Sequence, residues 1–395
     1  MVCSAGWILD VSIDQNRAII WIKTTEGSVL RLTDAYRPNF YILPKDEDAG
    51  AALFHILSLE SMVKKVEWEQ KFTDLFDPVS HGLKRLICVQ LESIVFYRTL
   101  QKRLDKDARI AQLFNIDLSH IQQYLFTKLR IEPVSKVEIE YDTNDSRLLR
   151  INKINEDSGA PPPFSMLYFD IRFSSPNSDI DQIMQITARH QEEADFSFAG
   201  DEDGVLEEFC DCVLTKDPDI IISTKQPFEN TVVEYLSKKV GALGLDLGRE
   251  PTLHNNTIKT SRIQGRVHFD NKSFHSNLDL AGLIERARFG FLPLNQAAFY
   301  GINRLIDSRN CYTLLQKGFV IPGRDYGRHE KIRTLEEINA KDKGGMIFSP
   351  RVGLHENVVV LDYENEYANL VVRQNLSYET VTSKGRGSEK QGLFV

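Results

Sequence analysis

The sequence predicts an α/β protein of several domains, and three observations predict it. The chain has 395 residues, more than one ordinary domain holds, so two or three domains are expected. Its first 45 residues alternate apolar and polar side chains over short runs. Beyond a proline-rich break near residue 160, buried-type strands are interleaved with helical patterns.

The opening runs are Gly6-Trp7-Ile8-Leu9-Asp10-Val11, Ala18-Ile19-Ile20-Trp21-Ile22-Lys23 and Ser28-Val29-Leu30-Arg31-Leu32. Asp14-Gln15-Asn16 and Gly27 supply turns, so an antiparallel meander is expected. Residues 48–130 read as mixed, with helical patterns near 50–64 and 95–128. Ile154 to Pro163, ending in three prolines, reads as a linker. A second unit follows, with strands at Met166–Ile171, Asp181–Thr187 and Asp217–Ile222 and a helix at Val205–Leu214. Strand, strand, helix, strand is the order of an α/β or ribonuclease H-like sheet. Residues 276–320 read as helical, Gly344-Gly345 breaks the chain, and Val358-Val359-Val360-Leu361 reads as another buried strand.

Composition excludes several classes. At 42% hydrophobic and 26% charged residues, the chain has the make-up of a soluble globular protein. No apolar run approaches the roughly 18 residues of a membrane span, and the first residues lack a secretory n-region. Five scattered cysteines do not make a disulfide framework, and the close pair Cys210 and Cys212 lacks partners for a zinc set. Free thiols in a reducing cytoplasm are expected. The net charge of −8 argues against nucleic acid as a partner, but residues 281–351 hold twelve Lys/Arg against seven acids. A local +5 on an acidic chain suits either a phosphate backbone or a solvated surface.

The strongest signal is Gly353-Leu354-His355-Glu356-Asn357-Val358-Val359-Val360-Leu361-Asp362-Tyr363-Glu364-Asn365-Glu366-Tyr367-Ala368-Asn369-Leu370. An apolar strand there delivers one carboxylate at its tip, a rigid mount for a metal ligand facing a triphosphate. An aspartate capping the next helix is the plainer reading. The segment resembles the first palm motif of family B DNA polymerases, where a strand ends in Asp before a Ser-Leu-Tyr-Pro-Ser stretch. The resemblance implies that Asp362 is the catalytic, metal-binding Asp and that Tyr363, Tyr367 and Asn375 contact the nucleotide. Glu366, Ala368 and Asn369 depart from that stretch. The resemblance runs in order along the chain. Gly6–Lys45 is similar to the N-terminal domain of archaeal members, and Met166–Thr187 to the first exonuclease strand pair. Asp217-Pro218-Asp219-Ile220-Ile221 is similar to the segment before the second exonuclease motif, and Gly344-Gly345 to the glycine pair that touches the template.

The resemblance implies residues 1–150 as an N-terminal domain and 164–275 as a ribonuclease H-like exonuclease domain. Residues 276–345 are then a helical, template-contacting connector, and 346–395 the start of a palm. The exonuclease set is degenerate. Arg172 stands where the Asp-x-Glu motif has its Glu, leaving Asp170 as a remnant, and no Asp lies between Ser223 and Leu236. Tyr300-Gly301-Ile302-Asn303-Arg304 has Arg where the third motif has Asp. A dead proofreading domain kept as a scaffold is therefore expected. Implied ligands are Mg²⁺, a primer–template DNA contacted at Lys341, Lys343, Gly344 and Gly345, and a dNTP. The Asp-Thr-Asp-type hairpin that carries the second palm carboxylate and the fingers helix are missing between Tyr378 and Val395. The expected protein is therefore an N-terminal polymerase portion, inactive alone and completed by a second chain with fingers, palm remainder and thumb. The alternative is a non-catalytic DNA-binding scaffold subunit descended from a polymerase.

Overall fold

The computed structural model describes residues 1–74, 82–155, 161–174, 182–191, 193–224, 232–250, 263–270, 279–323, 333–341, 348–377, 380–382 and 385–386. Among these residues are three sheets of three or more strands, each with its own topology.

The first is a closed barrel. Its strands are β1 (Val2–Asp14), β2 (Arg17–Thr24), β3 (Val29–Ala35), β8 (Lys136–Asp142) and β9 (Arg147–Lys153). They are ordered β1-β2-β3-β9-β8 and close on β1. The β1–β3 meander is antiparallel and only the β3–β9 contact is parallel, which is the topology of an OB-fold. Alternation puts Ala18, Ile20 and Ile22 inside the barrel and Ile19 and Trp21 outside. A bulge between Ile8 and Asp10 resets this phase in β1, so Ile8 and Val11 both point inward.

Between β3 and β8 the chain inserts a second unit: β4 (Asn39–Pro44), α1 (Glu47–Ser58), β5 (Val63–Phe72), β6 (Leu83–Leu91), α2 (Tyr97–Leu104) and β7 (Ile110–Phe114). Its antiparallel order β5-β6-β4-β7 is that of a ferredoxin-like βαββαβ unit. The sequence signal near 95–128 was helical, yet β7 is a strand, paired with β4 some seventy residues away. Asp46 caps α1 by accepting from the Ala49 N–H. Phe40, Ile42, Ile87 and Val89 face the helices, while Tyr41, Leu86, Cys88 and Phe114 face Val320 on the opposite side. The short helix α3 (His120–Gln123), with a Ser119/Gln122 capping box, runs into a π turn at Tyr124–Leu129. That turn packs Tyr124, Leu125 and Phe126 against the barrel core.

The third sheet is built from β10 (Met166–Phe173), β11 (Ile183–His190), β12 (Phe196–Ala199), β13 (Ile220–Ser223) and β14 (Val267–Asp270). Its order β12-β11-β10-β13-β14 has β11 antiparallel and β13 and β14 parallel to β10. This is the ribonuclease H-like arrangement expected from the sequence. One face packs α4 (Glu202–Lys216) and α5 (Val232–Ala242), and the other meets the barrel and α6 (Leu280–Gly290). Helices α7 (Leu294–Phe299) and α8 (Ile302–Gln316) complete this layer, followed by α9 (Leu335–Lys341) and α10 (Glu366–Gln374). Among the described residues no helix is long and apolar enough to cross a membrane.

Candidate active site

Asp362 lies four residues before α10, with its side chain exposed. The buried strand expected at Val358–Leu361 is not formed. These four residues are 66–88% exposed and pair with no strand among the described residues. The physical reason is that four apolar residues make a strand only when a neighbour supplies ladder partners. The turn after Asp362 is held locally. Asn365 takes a left-handed conformation at the helix start, and the Asn369 amide donates back to the Glu364 carbonyl at 2.9 Å. Helix α10 therefore points its N-terminal, partially positive end towards the Asp362 side of the turn. Tyr363 and Tyr367 are both more than 70% exposed, and Asn375 ends α10 in a left-handed conformation that asparagine tolerates.

An exposed carboxylate is the hard oxygen donor that Mg²⁺ takes, so Asp362 suits one ligand position. Among the described residues no group of three His, Cys, Asp or Glu side chains could hold a metal ion. The donors among the described residues do not complete a metal centre.

Asp170 is half-buried on β10, opposite Thr187 of β11. Arg172, two residues on, is exposed beside a bulge in that ladder. Arg304, at the position the resemblance gives to the third exonuclease carboxylate, lies over the Tyr300 ring at 4.7 Å. Gly344, Gly345 and Lys343 lie outside the described residues, as does the Lys341 side chain at the end of α9. The same holds for residues 225–231, in the stretch read for a second exonuclease acid.

One charged cluster was not anticipated. Asp219, fully buried before β13, accepts from Lys23 of β2 at 2.9 Å, from Arg249 at 2.9 Å and from the Ser165 N–H at 2.9 Å. Asp217 receives Arg249 at 2.8 Å and Arg266 at 2.7 Å. Burial raises the Asp217 pKa, but the two guanidinium groups outweigh it and hold the carboxyl below its ordinary range. Trp21 closes the same seam against Gly265, where a Cβ would sit 2.9 Å from the indole ring and the φ of 79° disfavours any side chain. The Asp-Pro-Asp run thus joins the barrel to the third sheet. Its sequence signal was two carboxylates beside a strand; its cationic partners are 30 to 196 residues away.

The family described as DNA polymerase family B matches residues 293–393, the stretch that contains α7, α8 and Asp362. DNA polymerase 2 of Saccharolobus solfataricus is 33% identical over 106 residues, covering 27% of this chain and 17% of that protein. The DNA polymerase of Archaeoglobus fulgidus is 21% identical over an alignment of 447 residues, covering 95% of this chain and 54% of that protein. The structure of the family B DNA polymerase from Pyrobaculum calidifontis shares the fold with a TM-score of 0.74 at 19% identity. That match covers 98% of this chain and 59% of the other. The chain thus spans little more than half the length of these two polymerases. The chain resembles DNA polymerase family B, in sequence over residues 293–393 and in fold over most of its length.

Proposed function

We propose that these residues form the amino-terminal portion of a DNA-directed DNA polymerase, holding primer–template DNA and presenting Asp362 as one ligand of a divalent-metal pair. The observation that carries the reading is that Asp362 is open to solvent at the head of a helix, inside the stretch that matches the family. Tyr367, the second residue of α10, offers an uncovered ring for the sugar of a dNTP, with Tyr363 four residues before it and Asn375 at the far end of the helix. Lys341, Lys343, Gly344 and Gly345 are the proposed template contacts. Synthesis also needs a second palm carboxylate, fingers and a thumb, which we propose are supplied by further polypeptide. The proofreading site is proposed to be inactive, because Arg172 puts a cation where Mg²⁺ needs a carboxylate.

Binding to a labelled primer–template duplex, measured from low to moderate salt, tests the reading. Affinity is expected to fall steeply as salt rises, since the release of counterions from phosphates drives it. Undetectable or salt-insensitive binding at low ionic strength refutes it. The scaffold reading is favoured by one observation, the exposed Arg172 beside Asp170. It predicts the same DNA binding but no loss of synthesis in an Asp362→Ala variant of the assembled polymerase.

A further inference from the structure

The OB-like barrel and the ferredoxin-like unit belong to architectures that bind nucleic acid on an open sheet face, yet both of those faces are closed here. On the barrel, the outward side of β2 is the seam with the third sheet, filled by Ile19, Trp21 and the Lys23–Asp219 pair. On the ferredoxin-like unit, Tyr41, Leu86 and Phe114 are covered by Val320, and Phe319 bridges to Phe72. A single strand held by this chain therefore needs another surface.

We propose that the corner between α7 and α8 is a stacking platform for single-stranded nucleic acid. Phe299 is 70% exposed there, and Ile302 and Ile306, one turn apart, extend the uncovered ridge along α8. Large aromatic and aliphatic groups left in water at one spot mark a contact surface. The chemistry beside them selects the partner. Arg304 lies over the Tyr300 ring, and Arg309 lies over the exposed Phe289 at 6.0 Å. Residues 280–323 carry Arg286, Arg288, Arg304, Arg309 and Lys317 against only Glu285 and Asp307, on a chain whose net charge is −8. Glu285 is already tied to Arg288 at 3.1 Å. The corner is also rigid, because Arg286 donates to the carbonyls of Ala297 and Tyr300 across the α7 turn. Flat rings flanked by guanidinium groups take unpaired bases on their faces and phosphates at their edges, whatever the base sequence. A protein partner would find fewer apolar side chains here than a stable interface buries.

The inference rests on the polymerase reading for the presence of DNA at all. It is tested by fluorescence anisotropy of a labelled thymidine oligonucleotide, alongside a fully paired duplex, with the full chain. Phe299→Ala is expected to weaken oligonucleotide binding about tenfold, the effect of one lost base stack. Phe299→Trp should restore it, and Arg304→Ala should lower the slope of log affinity against log salt by about one. Both altered side chains, Phe299 and Arg304, are exposed, so thermal midpoints of the three variants should match the wild type. Wild-type affinity for the oligonucleotide in both alanine variants overturns the platform while leaving the polymerase reading standing. Absence of all DNA binding by the wild type overturns both.

Discussion

Substituting Asp219 by Ala tests whether the buried charge cluster fastens the barrel to the ribonuclease H-like sheet. Asp219 is fully buried, and the side chains of Lys23 and Arg249 are each only 10% exposed. Removing the carboxylate leaves two cations in a nearly dry seam and the Ser165 N–H without its acceptor. Breaking a buried pair in this way costs about 3–5 kcal/mol. The slight exposure of both cations and the other acceptors of Arg249, the Gly265 and Asp217 carbonyls, place the cost near the lower end, about 3 kcal/mol. Lys23→Met keeps the aliphatic stem and leaves Asp219 with Arg249 and Ser165, so it should cost less, about 1–2 kcal/mol. In a double-mutant cycle the two changes should couple by about 1–3 kcal/mol, because they remove the two ends of one ion pair. The assay is urea unfolding followed by tryptophan emission and far-ultraviolet dichroism. Trp21 sits in the seam, so its emission should change first if the seam opens before the sheets melt. A coupling energy below about 0.5 kcal/mol would refute the assignment of a fastening role to this pair.

Burial, with Arg98 nearby, pushes the His120 pKa down to about 4. The unfolded chain takes up that proton near pH 6.5 and the folded one resists it, so stability should drop as pH falls from 6.5 to 4, by up to about 3 kcal/mol. His120→Phe should flatten that limb of the pH–stability curve, and an unchanged curve counts against the histidine. Gly265→Ala should destabilise by more than about 1 kcal/mol, since a Cβ would sit 2.9 Å from the Trp21 ring at a φ of 79°; thermal melting reads this, and a neutral result contradicts the described seam. With Mg²⁺ and 3′-labelled single-stranded DNA, the chain should release no nucleotides. Trimming that vanishes in Asp170→Ala would show that the site around β10 still works as a nuclease.

Much of this protein is legible in one dimension wherever a short period carries the signal. The alternation in Ala18–Lys23 marks β2, and the apolar spacing across Val205–Leu214 lies within α4. The order of strands around Met166 announces the third sheet, and the run through Asp362 announces the family, because each depends on neighbours a few residues apart. Tertiary structure alone decided the rest. It closed the barrel through β8 and β9, made a strand of Ile110–Phe114, and left Val358–Leu361 without a ladder. It also brought Lys23 to Asp219 across 196 positions. These features turn on which distant segment supplies a hydrogen-bond or charge partner. No local pattern encodes that choice, because the partner is selected only when the packed layers meet.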